Sequence, residues 1–92
     1  MENLMENLET KVSKRVELGN KIQDIVLEVA DKSIKDYSEQ AQFKSDLGLD
    51  SLDMVEMIMI CEKDFYITLP DSEWEGIRTP SELIDLIEYK TT

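Results

Sequence analysis

The chain is expected to fold as an all-α domain: a small four-helix bundle of three main helices and one short helix, with a long loop between the first and second helices. Three observations predict it. Apolar residues recur at three- and four-residue steps in three separate stretches, two helix starts are written in capping residues, and a polar connection punctuated by apolar residues fills positions 33–50. Ninety-two residues with 41% hydrophobic content can bury one small core, so these helices should form a single domain.

Residues 1–16 open with Met-Glu-Asn-Leu in tandem, which sets Leu4, Leu8 and Val12 four residues apart and supports a helix. They are expected to be an N-terminal extension, either a docked helical arm, a frayed leader or a trace of alternative starts at Met1 and Met5, ahead of a domain over 17–90. From Glu17 onward Leu18, Ile22, Ile25, Val26 and Val29 mark the first amphipathic helix, ending between Asp31 and Ser33. Gly19 costs its first turn about 1 kcal/mol relative to alanine. The connection that follows is longer than the usual upper limit of about 12–15 residues. Ile34, Tyr37, Phe43, Leu47 and Leu49 recur along it, which predicts that Tyr37, Phe43 and Leu47 pin it across the core.

The second helix is predicted over Ser51–Phe65, with Asp50 as N-cap and Asp53 helping to satisfy the first-turn amides. Such a cap contributes about 1 kcal/mol. At about 100° per residue, Asp53, Glu56, Lys63 and Asp64 share one arc, while Leu52, Met54, Val55, Ile58, Met59, Cys61 and Phe65 occupy the wide remainder. Ile60 falls within the charged arc, which suits a docking surface better than a solvated face. Beyond it Ile67 and Leu69 lead to Pro70, which ends the preceding element. Asp71–Gly76 reads as one short helical turn carrying Trp74, capped by Asp71 or Ser72 and stopped by Gly76. The last helix starts at Thr79 as N-cap, with Pro80 in first position, Glu82 completing a capping box, and Leu83, Ile84, Leu86 and Ile87 as the buried stripe.

Charge is unevenly divided. The net value is -11; residues 1–45 hold nine acids against seven bases, and residues 46–92 hold twelve against three. A polyanion of this kind is repelled by nucleic-acid phosphates and anionic headgroups, so basic protein surfaces are the fitting partners, unless the acidity serves only solubility. No apolar run approaches the roughly 20 residues of a membrane span, and the first residues lack the regions of a signal peptide. A cytoplasmic monomer is the expectation.

Histidine is absent, only three glycines are present, and neither a metal-ligand cluster nor a phosphate-cradling loop can be assembled. Lone Cys61 should pack as a small hydrophobe. The one chemically addressable side chain is Ser51. Where a nucleophile elbow needs Gly-x-Ser-x-Gly the chain has Leu49-Asp50-Ser51-Leu52-Asp53, and without a base Ser51 is no catalytic nucleophile, so no enzyme is expected. A calcium loop also fails, because Leu47, Leu49 and Leu52 interrupt the oxygen ligands and no glycine stands sixth from Asp46. Two readings remain: Ser51 as a mere helix-start residue, or as a hydroxyl that another enzyme modifies. A phosphoester at a helix start is favoured by the free amides and the dipole, although Asp50 and Asp53 oppose it.

The run Asp46-Leu47-Gly48-Leu49-Asp50-Ser51-Leu52-Asp53, followed by Val55-Glu56 and by Glu62, Phe65, Ile67 and Pro70, resembles the acyl carrier proteins of the freestanding bacterial type. The likeness extends from about Leu18 to Glu88 and includes Phe43 and the helix order. It implies that Ser51 receives 4'-phosphopantetheine from coenzyme A through a phosphopantetheinyl transferase, and that the arm's thiol carries acyl groups as thioesters in fatty acid biosynthesis or a related specialised acyl or polyketide pathway. It further implies that Asp50, Leu52, Asp53, Glu56, Met59 and Glu62, with Ile60 added by the helical pattern, face acyl-processing enzymes through their basic patches.

Three positions depart from that pattern. Lys63 interrupts an acidic run, Cys61 and Ile60 replace other apolar residues, and Trp74 is bulky for the short helix, which leaves room for a specialised cargo. Met54, Met57 and Met59 either pack the core or line an acyl cavity between the second, third and fourth helices. The rivals are a non-carrier acidic bundle that binds a basic protein through Asp53, Glu56 and Ile60, and a D-alanyl or peptidyl carrier, which shares the fold and the modified serine.

Overall fold

The computed structural model describes residues 4–30 and 37–91, with the side chains of the first stretch from Lys14 onward. It contains α1 (Leu4–Ala30), α2 (Ser51–Phe65), α3 (Asp71–Trp74) and α4 (Pro80–Thr91), with no strand among the described residues. This is the expected all-α architecture of three main helices and one short one. The expected end of the first helix between Asp31 and Ser33, the residue Ile34, and the side chains of Leu4, Leu8 and Val12 lie outside the described residues.

α1 is one continuous helix of 27 residues, so the amphipathic pattern from Glu17 and the stretch from Leu4 belong to the same element. Leu18, Ile22, Ile25, Val26 and Val29 bury its inner stripe, and α1 packs against both α2 and α4. One turn earlier the Lys14 ammonium donates to the Thr91 carbonyl at 2.9 Å, and Arg15 pairs with Asp85 at 2.8 Å. Exposed pairs of this kind contribute about 0–1 kcal/mol, so they align α1 with the end of α4 more than they hold it there. Gly19 has a packing reason. It is buried, and a Cβ in its place would meet the Glu39 carboxylate at 2.9 Å, so the missing side chain lets the connection lie against α1.

The described part of the connection is anchored as expected. Phe43, Leu47 and Leu49 are buried and Tyr37 packs on the core. Local turns organise it: the amides of Asp46 and Leu47 donate to the Gln42 carbonyl and the Leu49 amide to that of Phe43. Gly48, at φ 74°, supplies the left-handed residue that lets both neighbouring leucines turn inward. Two backbone bonds then stitch the connection to the far end of the chain, Phe43 N–H to the Arg78 carbonyl and Ser81 N–H to the Glu39 carbonyl, both at 2.8 Å.

α4 starts at the predicted residues, but the expected capping box closes only on one side, because the Glu82 carboxylate reaches the Arg78 amide and not that of Thr79. The Glu82 amide donates to Thr79 Oγ1 at 3.2 Å, and the Glu82 carboxylate accepts from the Thr79 hydroxyl and, at 3.4 Å, from the Arg78 amide. Pro80 is buried in first position, Leu83, Ile84 and Ile87 are fully buried, and Leu86 packs at the edge.

α3 corrects the expectation at both ends. Asp71 is its first helical residue and Pro70 occupies the N-cap position, so neither Asp71 nor Ser72 caps it; the C-cap is Glu75 and not Gly76. A helix of four residues cannot sustain itself. It is held from outside, where the Lys90 ammonium pairs with Glu73 and donates to the Thr68 carbonyl.

Candidate functional site

At the start of α2, Asp50 leaves the helix in an extended conformation (φ -94°, ψ -175°) and its carboxylate accepts from the Asp53 amide at 2.8 Å. The Asp53 carboxylate returns the contact by accepting from the Asp50 amide at 3.1 Å. The two aspartates thus close a reciprocal capping box. Ser51 is therefore the first helical residue and not the cap. It is exposed, and its hydroxyl makes no hydrogen bond with a described residue. Ser51 stands at the helix start without capping it, because the capping bonds are made by Asp50 and Asp53 on either side of it. Its hydroxyl faces solvent in a chain that has no histidine to act as its base.

From there α2 presents two faces. Met54, Met57, Ile58 and Cys61 point into the core at three- and four-residue steps. On the other side Leu52 is 79% exposed and Met59 62%, and with Val55, Glu56, Ile60 and Lys63 they border a shallow apolar groove of about 360 Å³. The helical pattern puts Leu52, Val55 and Met59 on the same wide arc as Met54 and Ile58, and Ile60 among the charges, while the resemblance expects Leu52 and Met59 at the surface. The structure turns the first three to solvent, while Ile60 is half-buried and packs on the core. α2 meets its neighbours along a narrower stripe than its apolar arc, so the flanks of that arc have no helix to cover them. Met59 accordingly does not line an interior cavity, whereas Met54 and Met57 do face inward.

Of the remaining site candidates, Asp50 and Glu56 are exposed and Asp53 is half-buried beside Ser51. Glu62 is partly withdrawn: its carboxylate accepts from the Leu69 amide at 2.8 Å and holds the link between α2 and α3. Lys63 is exposed, and the Lys21 ammonium sits 5.5 Å from the centre of the Phe65 ring. Burial, reinforced by the charges of Asp64 and Glu62, pushes the Cys61 thiol up to about 12, so it stays protonated and inert. Tyr37 is likewise raised to about 12 by burial and by Glu39, and its hydroxyl has no hydrogen-bond partner among the described residues.

One further feature escaped the sequence. A pocket of about 220 Å³ opens beside the connection, walled by Phe43, Met54 and Ile77. Exposed Lys44, Glu75 and Arg78 stand at its mouth. The only sequence signal for it was that Arg78 is one of three bases in an acidic half. Among the described residues no group of three or more acidic, cysteine or histidine side chains could hold a metal ion, and no helix is long and apolar enough to cross a membrane.

An exposed serine thus heads an acidic helix. Residues 20–87 match the phosphopantetheine attachment site family. The chain is 38% identical over 72 residues to the acyl carrier protein of Porphyromonas gingivalis, covering 78% of this chain and 92% of that one. It is 39% identical over 75 residues to that of Picosynechococcus sp., covering 82% and 93%, and 39% identical over 67 residues to that of Wolinella succinogenes, covering 73% and 88%. The chain belongs to the acyl carrier proteins. It is a carrier of acyl groups on covalently attached 4'-phosphopantetheine and not an enzyme, and acyl-processing enzymes are its partners.

Proposed function

We propose that Ser51 is the attachment point of the 4'-phosphopantetheine arm, and that a phosphopantetheinyl transferase installs it from coenzyme A. The carrying observation is the division of labour at the helix start, where Asp50 and Asp53 cap α2 and leave the Ser51 hydroxyl exposed and not hydrogen-bonded to any described residue. The chain has no histidine to take the serine proton, so the transferase supplies the base. When attached, the arm supplies a thiol that holds acyl groups as thioesters. The chain's own Cys61 thiol does not compete for them, because it is buried and protonated.

The partner surface proposed here is the outer face of α2. Asp50, Asp53 and Glu56 provide the negative field that steers basic patches, and Leu52, Met59 and Ile60 provide apolar contact in the groove. Glu62 lies at its far end with its carboxylate already engaged by Leu69. Lys63 breaks the acidic row and favours partners whose basic patch is confined to the first two turns. The pathway fitting this reading is fatty acid biosynthesis or a related specialised acyl or polyketide route, carried out by a cytoplasmic monomer with residues 17–90 as the carrier domain.

Incubation with coenzyme A and a promiscuous transferase, followed by intact mass, tests the assignment. Wild type should gain one phosphopantetheine and Ser51→Ala none; a gain that survives Ser51→Ala would move the attachment elsewhere.

A further inference from the structure

We propose that the pocket walled by Phe43, Met54 and Ile77 selects acyl cargo bearing a carboxylate at its far end, with Lys44 and Arg78 as the residues that hold that carboxylate. The inference rests on the carrier reading of Ser51 and concerns which acyl group this particular chain prefers.

The pocket is placed to receive cargo. Met54 lies three residues beyond Ser51 on α2, so the two side chains are helix neighbours with Cβ atoms about 5–6 Å apart. At about 220 Å³ the space exceeds the roughly 150 Å³ that houses a benzene ring, so a short acyl chain fits against its apolar wall.

Charge is what sets this pocket apart. In a chain of net charge -11, residues 46–92 hold only three bases. Lys90 is paired with Glu73, and Lys63 borders the groove on the outer face of α2. The third, Arg78, is at the pocket, joined there by Lys44 from the connection. The 2.8 Å bond from the Phe43 amide to the Arg78 carbonyl brings their two segments side by side, and the Arg78 amide is held by Glu82. The backbone is thereby fixed, while neither cationic side chain makes an ion pair with a described residue. Glu75, also at the mouth, offsets one of the two charges, and exposed Gln42 adds a neutral donor.

A saturated chain would use only Phe43, Met54 and Ile77. A chain ending in a carboxylate would use the cations too, since a guanidinium accepts a carboxylate in a bidentate pair and an ammonium adds a point charge. The surrounding acidity makes the sign of the effect diagnostic. Elsewhere on so acidic a surface an added carboxylate is repelled and lowers stability.

The test loads Ser51 with butyryl or succinyl, and with hexanoyl or adipyl, from the corresponding coenzyme A thioesters, verifies loading by intact mass and measures melting. Succinyl should melt about 3 °C above butyryl at low salt, and adipyl above hexanoyl, with the gap shrinking as salt is added. Lys44→Gln combined with Arg78→Gln should erase the gap, and Lys21→Gln on α1 should keep it. Equal melting, a higher value for the neutral chain, or a gap that survives the double substitution overturns the inference while leaving Ser51 as the carrier site. Absence of any mass gain removes the attachment point, and this inference with it.

Discussion

α2 and α4 begin with the same device and put it to opposite uses. In each an oxygen at the N-cap accepts from the amide three residues on, Asp50 from Asp53 and Thr79 from Glu82. At α4 the first residue is a buried proline, the second donates its amide to Glu39 in the connection, and the start is locked into the bundle. At α2 the first residue is an exposed serine whose hydroxyl is bonded to no described residue. Capping chemistry makes a helix end stable; what stands at its first position decides whether that end is an anchor or an offering.

The largest way to break the contrast is to undo the anchored side. Phe43 is fully buried and bonded through its amide to Arg78, so Phe43→Ala should cost about 3–5 kcal/mol. That is most of the stability of a small domain, and urea denaturation should show a chain that is barely folded. The two caps come next. Asp50→Ala and Thr79→Ala should each cost about 1 kcal/mol, measured in the same way. Asp50→Ala should also slow transferase loading of Ser51, while Thr79→Ala should leave the rate unchanged; equal rates would mean that the α2 cap serves stability alone.

Ser51→Ala should move stability by less than about 0.5 kcal/mol while abolishing the mass gain, because its hydroxyl makes no hydrogen bond to a described residue. The smallest effect at neutral pH, namely none, is that of the two raised pKa values. Cys61 and Tyr37 ionise near pH 12 when folded, against 9.0 and 10.0 in an open chain. The folded state keeps its protons longer, so their contribution is full below pH 9 and is lost as pH rises towards 12. Unfolding midpoints at stepped alkaline pH should fall across that window, and Cys61 should resist maleimide in the folded protein at neutral pH.

The starts of α2 and α4 were legible because a cap is local chemistry: three residues of spacing let Asp50 accept from the Asp53 amide and Thr79 from the Glu82 amide. The inner stripes of α1 and α4 were legible for the same reason of period. What was not legible depended on partners far away in sequence. A helical wheel for α2 could not tell Met54 from Leu52, since both are apolar and only the position of α1 decides which is covered. Glu62 looked like one more surface acid until Leu69 supplied its donor. α3 was assigned a cap of its own, whereas its support comes from Lys90 on another helix. Lys44 and Arg78 stand 34 residues apart in numbering and line one pocket because bonds such as Phe43–Arg78 join their segments.

That bond, with its companion from Ser81 to Glu39, bears on the order in which the molecule can come into being. Both join the residues before Ser51 to residues near the end of the chain. Closing so long a loop has to be compensated by contacts that exist only once Ile84 and its neighbours are present. During synthesis, Ser51 emerges well before the segment that fixes its surroundings. Arg78 and Ser81 must emerge before the connection ahead of Ser51 is held in place, so on the carrier reading a transferase that needs that connection in place would load Ser51 only after they have.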